Sequence, residues 1–260
     1  MPFKAEIENW RNDNPNTHLG TITVGGTAMK LTPAHQTASE LTMPVVEGTT
    51  LAFTRKYRGF EFNGFYIGAT ELGQNPTLTA DNVAAIDENN PLIAKFTATD
   101  DVTLFYDDDQ YSYRIPAIAK TGNGMLVAVS DYRHNLDDIG RDNHGTGTMR
   151  IDLVMRTSTD NGATWSATRT IAAGDNSKTG SYLRAFGDAA IAAYGNNILV
   201  MAAAGDVLYT AGTTSNPNRM ARIYSTDNGE NWTIEEMTTK MYSQSTSLIP
   251  SAGSAFFGSG

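Results

Sequence analysis

The chain reads as all-β, and three observations carry that reading. Its 260 residues include 24 glycines and 11 tyrosines, with few long amphipathic helical patterns, as suits short strands joined by tight turns. A strand–turn–strand segment recurs: residues 117–128 match residues 190–201 at an offset of 73. A closing element, residues 158–165, recurs as residues 225–232 at an offset of 67. A unit of that length suits one blade of a β-propeller with a long loop. The expected architecture is an N-terminal β-sandwich over residues 1–105, followed over 106–260 by two blades and the start of a third.

In the first part, apolar and β-branched runs at 21–24, 40–46, 50–57, 64–68 and 92–97 are expected as strands. Breakers separate them, among them Gly25-Gly26, Glu47-Gly48 and Asn89-Asn90-Pro91. Tyr57, Phe60, Phe62, Phe65 and Tyr66 are expected to fill a core, which is what clustered aromatics usually do, in preference to the other reading of an exposed platform for a sugar. The acidic residues Asp100, Asp101, Asp107, Asp108 and Asp109 flank the apolar run 102–106 without the spacing of a calcium loop. They read as a solvated linker, which places the domain boundary near residue 105.

In the second part, Gly122-Asn123-Gly124 and Gly195-Asn196-Asn197 are hairpin turns between the first two strands of each repeat. The two offsets differ, so the first repeat has extra length between its second and third strands, in the charged loop 132–150. Each repeat closes on Asp-Asn-Gly, a turn in which Asn and Gly accept positive φ, the Ser and Asp side chains satisfy turn amides, and a Trp packs back on the sheet. Asp160 and Asp227 are therefore expected to be structural. Residues 248–250 and 255–257 look like the opening of a third repeat.

Charge and composition exclude several functions. Residues 1–110 carry 7 basic and 15 acidic residues, whereas 111–260 carry 12 and 13, so the second part does not repel an anionic ligand. Nine of its basic residues are Arg, whose planar fork suits carboxylates. No polybasic footprint points to nucleic acid. Without cysteine there are neither disulfides nor thiolate zinc sites, and His18, His35, His134 and His144 are too scattered for a metal motif, so no metal or cofactor is expected. No run reaches the ~18 apolar residues of a membrane span. The N-terminus lacks the basic and apolar regions of a signal peptide.

Tyr113-Arg114-Ile115-Pro116 resembles the [Phe/Tyr]-Arg-Ile-Pro motif of sialidases (neuraminidases). Residues 158–165 and 225–232 resemble their Asp-boxes, Ser-x-Asp-x-Gly-x-Thr-Trp, the second with Asn231 in place of Thr. The arginine motif, the strand–turn–strand and the first Asp-box in that order are a strong joint signal. The resemblance covers 113–257, and residues 1–105 resemble the sandwich that precedes the propeller in some bacterial members.

The resemblance implies a retaining exo-α-sialidase acting on sialylated glycans, periplasmic, secreted or at the cell surface, with a six-bladed propeller. It implies that Arg114 is the first of three arginines holding the sialic acid carboxylate, a bidentate role that suits a guanidinium. Arg133 matches a second motif arginine and Asp138 the acid/base, with Asp137 as the reserve candidate. Asp188 matches an aspartate that approaches the sugar hydroxyls beside Arg133. The family's other two arginines, its tyrosine nucleophile and the glutamate partner have no match here, so the chain reads as an N-terminal portion with half a site. Sialidases depart from the two-carboxylate scheme of most glycosidases. Two other readings are a non-catalytic Asp-box carbohydrate-binding or adhesion protein, and a propeller glycosidase for a related 2-keto sugar acid.

Overall fold

The computed structural model describes residues 1–10, 19–37, 39–41, 43–56, 59–99, 102–107, 111–134, 138–142, 145, 147, 149–213 and 215–245. The protein is all-β with two short α-helices among the described residues, and it divides into two compact units, Met1–Asp108 and Asp109–Gly260.

The first unit contains β1 (Pro2–Glu8), β2 (Gly20–Val24), β3 (Thr27–Leu31), β4 (Ser39–Glu40), β5 (Leu51–Arg55), β6 (Phe60–Ile67), β7 (Thr70–Gly73), helix α1 (Ala80–Ala85) and β8 (Leu92–Ala98). A five-stranded sheet, β4-β1-β8-β6-β7, and a three-stranded sheet, β3-β2-β5, bury their faces in one core. Period-2 alternation decides which side chains enter it. Phe3 and Ala5 of β1 are buried, while Lys4 and Glu6 lie on the other face and pair at 2.8 Å.

Phe60 and Phe65 fill this core, and Phe62 packs against it from a partly buried position. Tyr66 is half-buried with the Lys95 ammonium 4.4 Å above its ring, and Tyr57 lies outside the described residues. Strand formation over 40–46 was expected too generously: β4 stops at Glu40, and residues 43–46 form no strand. Pro44 has no N–H for a ladder and restricts Met43 before it. Helix α1 was not anticipated, although Thr79 caps it by accepting the Asn82 amide at 3.2 Å.

The second unit contains β9 (Tyr111–Lys120), β10 (Leu126–His134), β11 (Ile151–Ser158), β12 (Arg169–Ala172), β13 (Phe186–Tyr194), β14 (Asn197–Ala204), β15 (Arg219–Ser225), β16 (Thr233–Glu236) and helix α2 (Thr238–Ser245). Its strands form two antiparallel meanders, β9 to β12 and β13 to β16, each in sequence order. They face one another across a shared core in which Val127, Val129 and Leu153 meet Phe186, Val200, Ala202 and Ile223. Burial of the Val, Leu, Ile and Phe side chains among these stabilises by roughly 1.5–3 kcal/mol each. The expected third repeat, at 248–257, lies outside the described residues.

Both closing turns have one geometry. Ser158 donates to Asp160 at 2.8 Å and accepts the Gly162 amide at 2.8 Å, while Asp160 accepts the backbone N–H and the hydroxyl of Thr164. Ser225, Asp227 and Gly229 repeat the pattern, and the Asn231 side chain donates to Asp227 at 2.8 Å where Thr stands in the first copy. Asn161 and Asn228 adopt φ of 58° and 59° ahead of Gly162 and Gly229, at 94° and 84°. Trp165 and Trp232 donate their indole N–H groups to the carbonyls of Gly162 and Gly229. The Thr164 and Ser158 donors hold the Asp160 carboxyl down at about 2, and the Asn231 and Ser225 donors do the same for Asp227.

Candidate active-site cleft

Sequence alternation on β10 sets up the site. Val127, Val129, Asp131 and Arg133 share one face, and the first two belong to the core, so the strand carries a carboxylate and a guanidinium into the interior. Arg133 is 2% exposed and Asp131 is 0% exposed, a degree of burial that charged groups tolerate only when paired. Arg133 donates Nη2 and Nε to one Asp131 oxygen, at 2.9 and 3.3 Å. The other Asp131 oxygen accepts the backbone N–H of Asp188 at 3.0 Å. Burial pushes the Asp131 carboxyl up to about 7, against the pull of Arg133.

Two equivalent bulges bring the remaining groups in. In β9, Ile115 and Pro116 stand opposite Ser130 alone, and in β13, Asp188 and Ala189 stand opposite Ala202 alone. The first bulged residue is left-handed in both, with φ of 51° at Ile115 and 52° at Asp188. For a β-branched residue this conformation is strained by on the order of 1–3 kcal/mol. Pro116 sits on the edge strand of its sheet, where no ladder N–H is missed. The Ser130 hydroxyl donates to the Arg114 carbonyl at 2.9 Å and braces the first bulge.

Arg114, Arg133, Asp138 and Asp188 line a single cleft of about 280 Å³, with Val207 and Tyr209 among its other walls. Arg133 is its hub: Nη1 lies 3.0 Å from Asp138, and Nη2 lies 3.9 Å from Asp188. Asp138 is the most open of the three carboxylates, with 38% of its side chain exposed against 21% for Asp188. Burial raises the Asp188 carboxyl above its ordinary value, Arg133 lowers it, Asp138 raises it further, and Arg114 opposes the rise. Arg114 is exposed on β9.

Four of the five residues singled out in the sequence thus share this cleft, and the fifth, Asp137, lies outside the described residues. Asp131 was passed over. Its spacing of two from Arg133 on a predicted strand was the available signal, since i and i+2 share a face. No group of His, Asp and Glu suited to holding a metal ion occurs among the described residues.

Three carboxylates are gathered on one buried guanidinium, and two of them, Asp138 and Asp188, line the cleft together with Arg133 and Arg114, so charged donors and acceptors face the same space. In sequence the chain is similar to a sialidase. It is 30% identical over 132 residues to a sialidase of Clostridium perfringens, a match covering 49% of this chain and 32% of that protein. The chain therefore aligns with about a third of the length of this curated relative. No family model matches the chain. Among solved structures, the Hadza microbial sialidase Hz136 is similar at 15% identity, covering 91% of this chain and 58% of that one, with a TM-score of 0.42. Trypanosoma rangeli sialidase in complex with sialic acid is similar at 22% identity, covering 52% of this chain and 23% of that one, with a TM-score of 0.34.

Proposed function

We propose that this chain carries part of the active site of a retaining exo-α-sialidase, which removes terminal α-linked sialic acid from glycoconjugates. The convergence of Arg114, Arg133, Asp138 and Asp188 on one cleft is the observation that carries the reading. In it, the Arg114 fork receives the sugar carboxylate through charge-assisted hydrogen bonds. Asp138, the carboxyl most open to the cleft, protonates the departing glycosidic oxygen and then takes a proton from water, a role that typically contributes ~10²–10⁴-fold. Asp188 and Arg133 bind ring hydroxyls. The two four-stranded meanders are successive blades of a propeller, residues 1–105 are an accessory sandwich domain, and the tyrosine nucleophile with the remaining arginines belongs to sequence outside this chain. The protein acts outside the cytoplasm, where sialylated glycans are displayed.

Binding tests this directly. Titrating sialic acid into the purified 260-residue chain should move NMR resonances of the cleft residues. Arg114→Lys should weaken binding at least ~10-fold, equivalent to about 1.4 kcal/mol, and leave the melting temperature almost unchanged, because the side chain is exposed. Hydrolysis of a fluorogenic sialoside by the isolated chain should be negligible. Equal binding by the Lys variant would remove Arg114 from the carboxylate site, and enzyme-like turnover would overturn the assignment of a partial site.

A further inference from the structure

Asp138 lies after the end of β10 on the extended loop of the first meander, a location that does not by itself hold a side chain still. Its turn is short: the Arg141 amide donates to the Asp138 carbonyl at 2.9 Å, and the Ile139 amide donates to the Asp138 carboxylate at 2.8 Å. Ile139, beside the most open carboxylate of the cleft, is itself 8% exposed. It packs in a small apolar cluster with Ile151 and Ala185, joined by Ala203 of the second meander.

Two glycines make this docking possible. Gly140 has φ +69°, and a Cβ there would fall 2.2 Å from the Leu208 nitrogen, so the turn lies directly on the segment following β14. At Gly187 an added Cβ would come 2.9 Å from Asp131 Oδ2 and 3.3 Å from Ile139 Cδ1, so the missing side chain on β13 leaves a space that the Asp131 carboxylate and Ile139 share.

We propose that Ile139 is a positioning residue: its side chain plugs the 138–141 turn into the second meander, and this contact sets Asp138 against Arg133 Nη1. The idea rests on the reading of Asp138 as the acid of the reaction. It also implies that the neighbouring sheet helps to place the acid, alongside the hydrogen bonds of its own turn.

The test uses the 260-residue chain with Ile139→Val and Ile139→Ala, followed by NMR hydrogen exchange. Exchange of the Arg141 amide and of the Arg133 Nη1–H should quicken about 2–3-fold in the Val variant and at least ~10-fold in the Ala variant. The Arg133 Nε–H, held by Asp131, and the paired amides of β10 and β11 should keep their rates. A generic core role would accelerate all of these together, and that outcome overturns the proposal, as do unchanged rates at Arg141 and Arg133. If the Ala variant does not fold, the Val variant decides by the same criteria. Neither readout needs a sugar, so failure of sialic acid to bind would remove the sialidase reading without altering this result.

Discussion

Asp131 and Asp188 are joined across the two meanders of the second unit by one hydrogen bond, the carboxylate of the first accepting the backbone N–H of the second at 3.0 Å. That N–H belongs to a left-handed residue at a bulge, and the other Asp131 oxygen holds Arg133. A single buried carboxylate therefore braces the strained backbone of one sheet and orients the hub guanidinium of the other.

Removing that carboxylate should be costly. Asp131→Ala leaves Arg133 buried with one partner fewer, a class of change that destabilises by ~3–5 kcal/mol. Asp131→Asn keeps the shape and one acceptor and should cost less. Urea denaturation of the three proteins checks the order, and equal midpoints for Ala and wild type would show that Asp131 is dispensable.

Asp131 also predicts an unusual pH dependence. Its folded value of about 7 lies above the ordinary 3.8, so between those limits the folded chain binds more protons than the unfolded chain. The group's contribution is full below about pH 4 and is lost as pH rises through 7. Stability should fall between pH 5 and 8 by more in the wild type than in Asp131→Asn. Parallel profiles for the two would place the charge elsewhere.

The closing turns predict the opposite slope in acid. Asp160 and Asp227 are held at about 2, so their contribution is present above the unfolded value near 3.8 and disappears as pH falls through 2. Asp160→Asn and Asp227→Asn should flatten the acid limb of thermal unfolding between pH 4 and 2. The Asn231 variant of the second turn makes the same hydrogen bonds as Thr164, so both turns should respond alike.

Gly140→Ala should be far more damaging than a typical loop substitution. The new methyl meets backbone at 2.2 Å and the residue must hold a positive φ, so the 138–141 turn must leave its seat. We expect a lower melting temperature and faster exchange at Arg141. Gly145→Ala, also at positive φ but with nothing within 4 Å of the added Cβ, separates backbone strain from the clash.

Local chemistry made much of this chain legible. Ser, Asp, Asn, Gly and Trp in the closing elements satisfy one another within a few residues, so their geometry follows from order along the chain alone, and the hairpins at 121–125 and 194–197 are equally local. Period 2 along β10 likewise puts Val127, Val129, Asp131 and Arg133 on one face. What alternation could not say is that the buried face would carry a guanidinium and a carboxylate, because their burial is tolerable only once each has found the other and the Asp188 amide from 57 residues away. The sequence by itself determined the repeats, the turns and the residues worth watching. Only the tertiary structure decided that Arg114, Arg133, Asp138 and Asp188 share one cleft, since Asp188 reaches Arg133 and Asp131 from the other sheet and the arrangement depends on two bulges, a missing Cβ at Gly187 and the seat of Ile139.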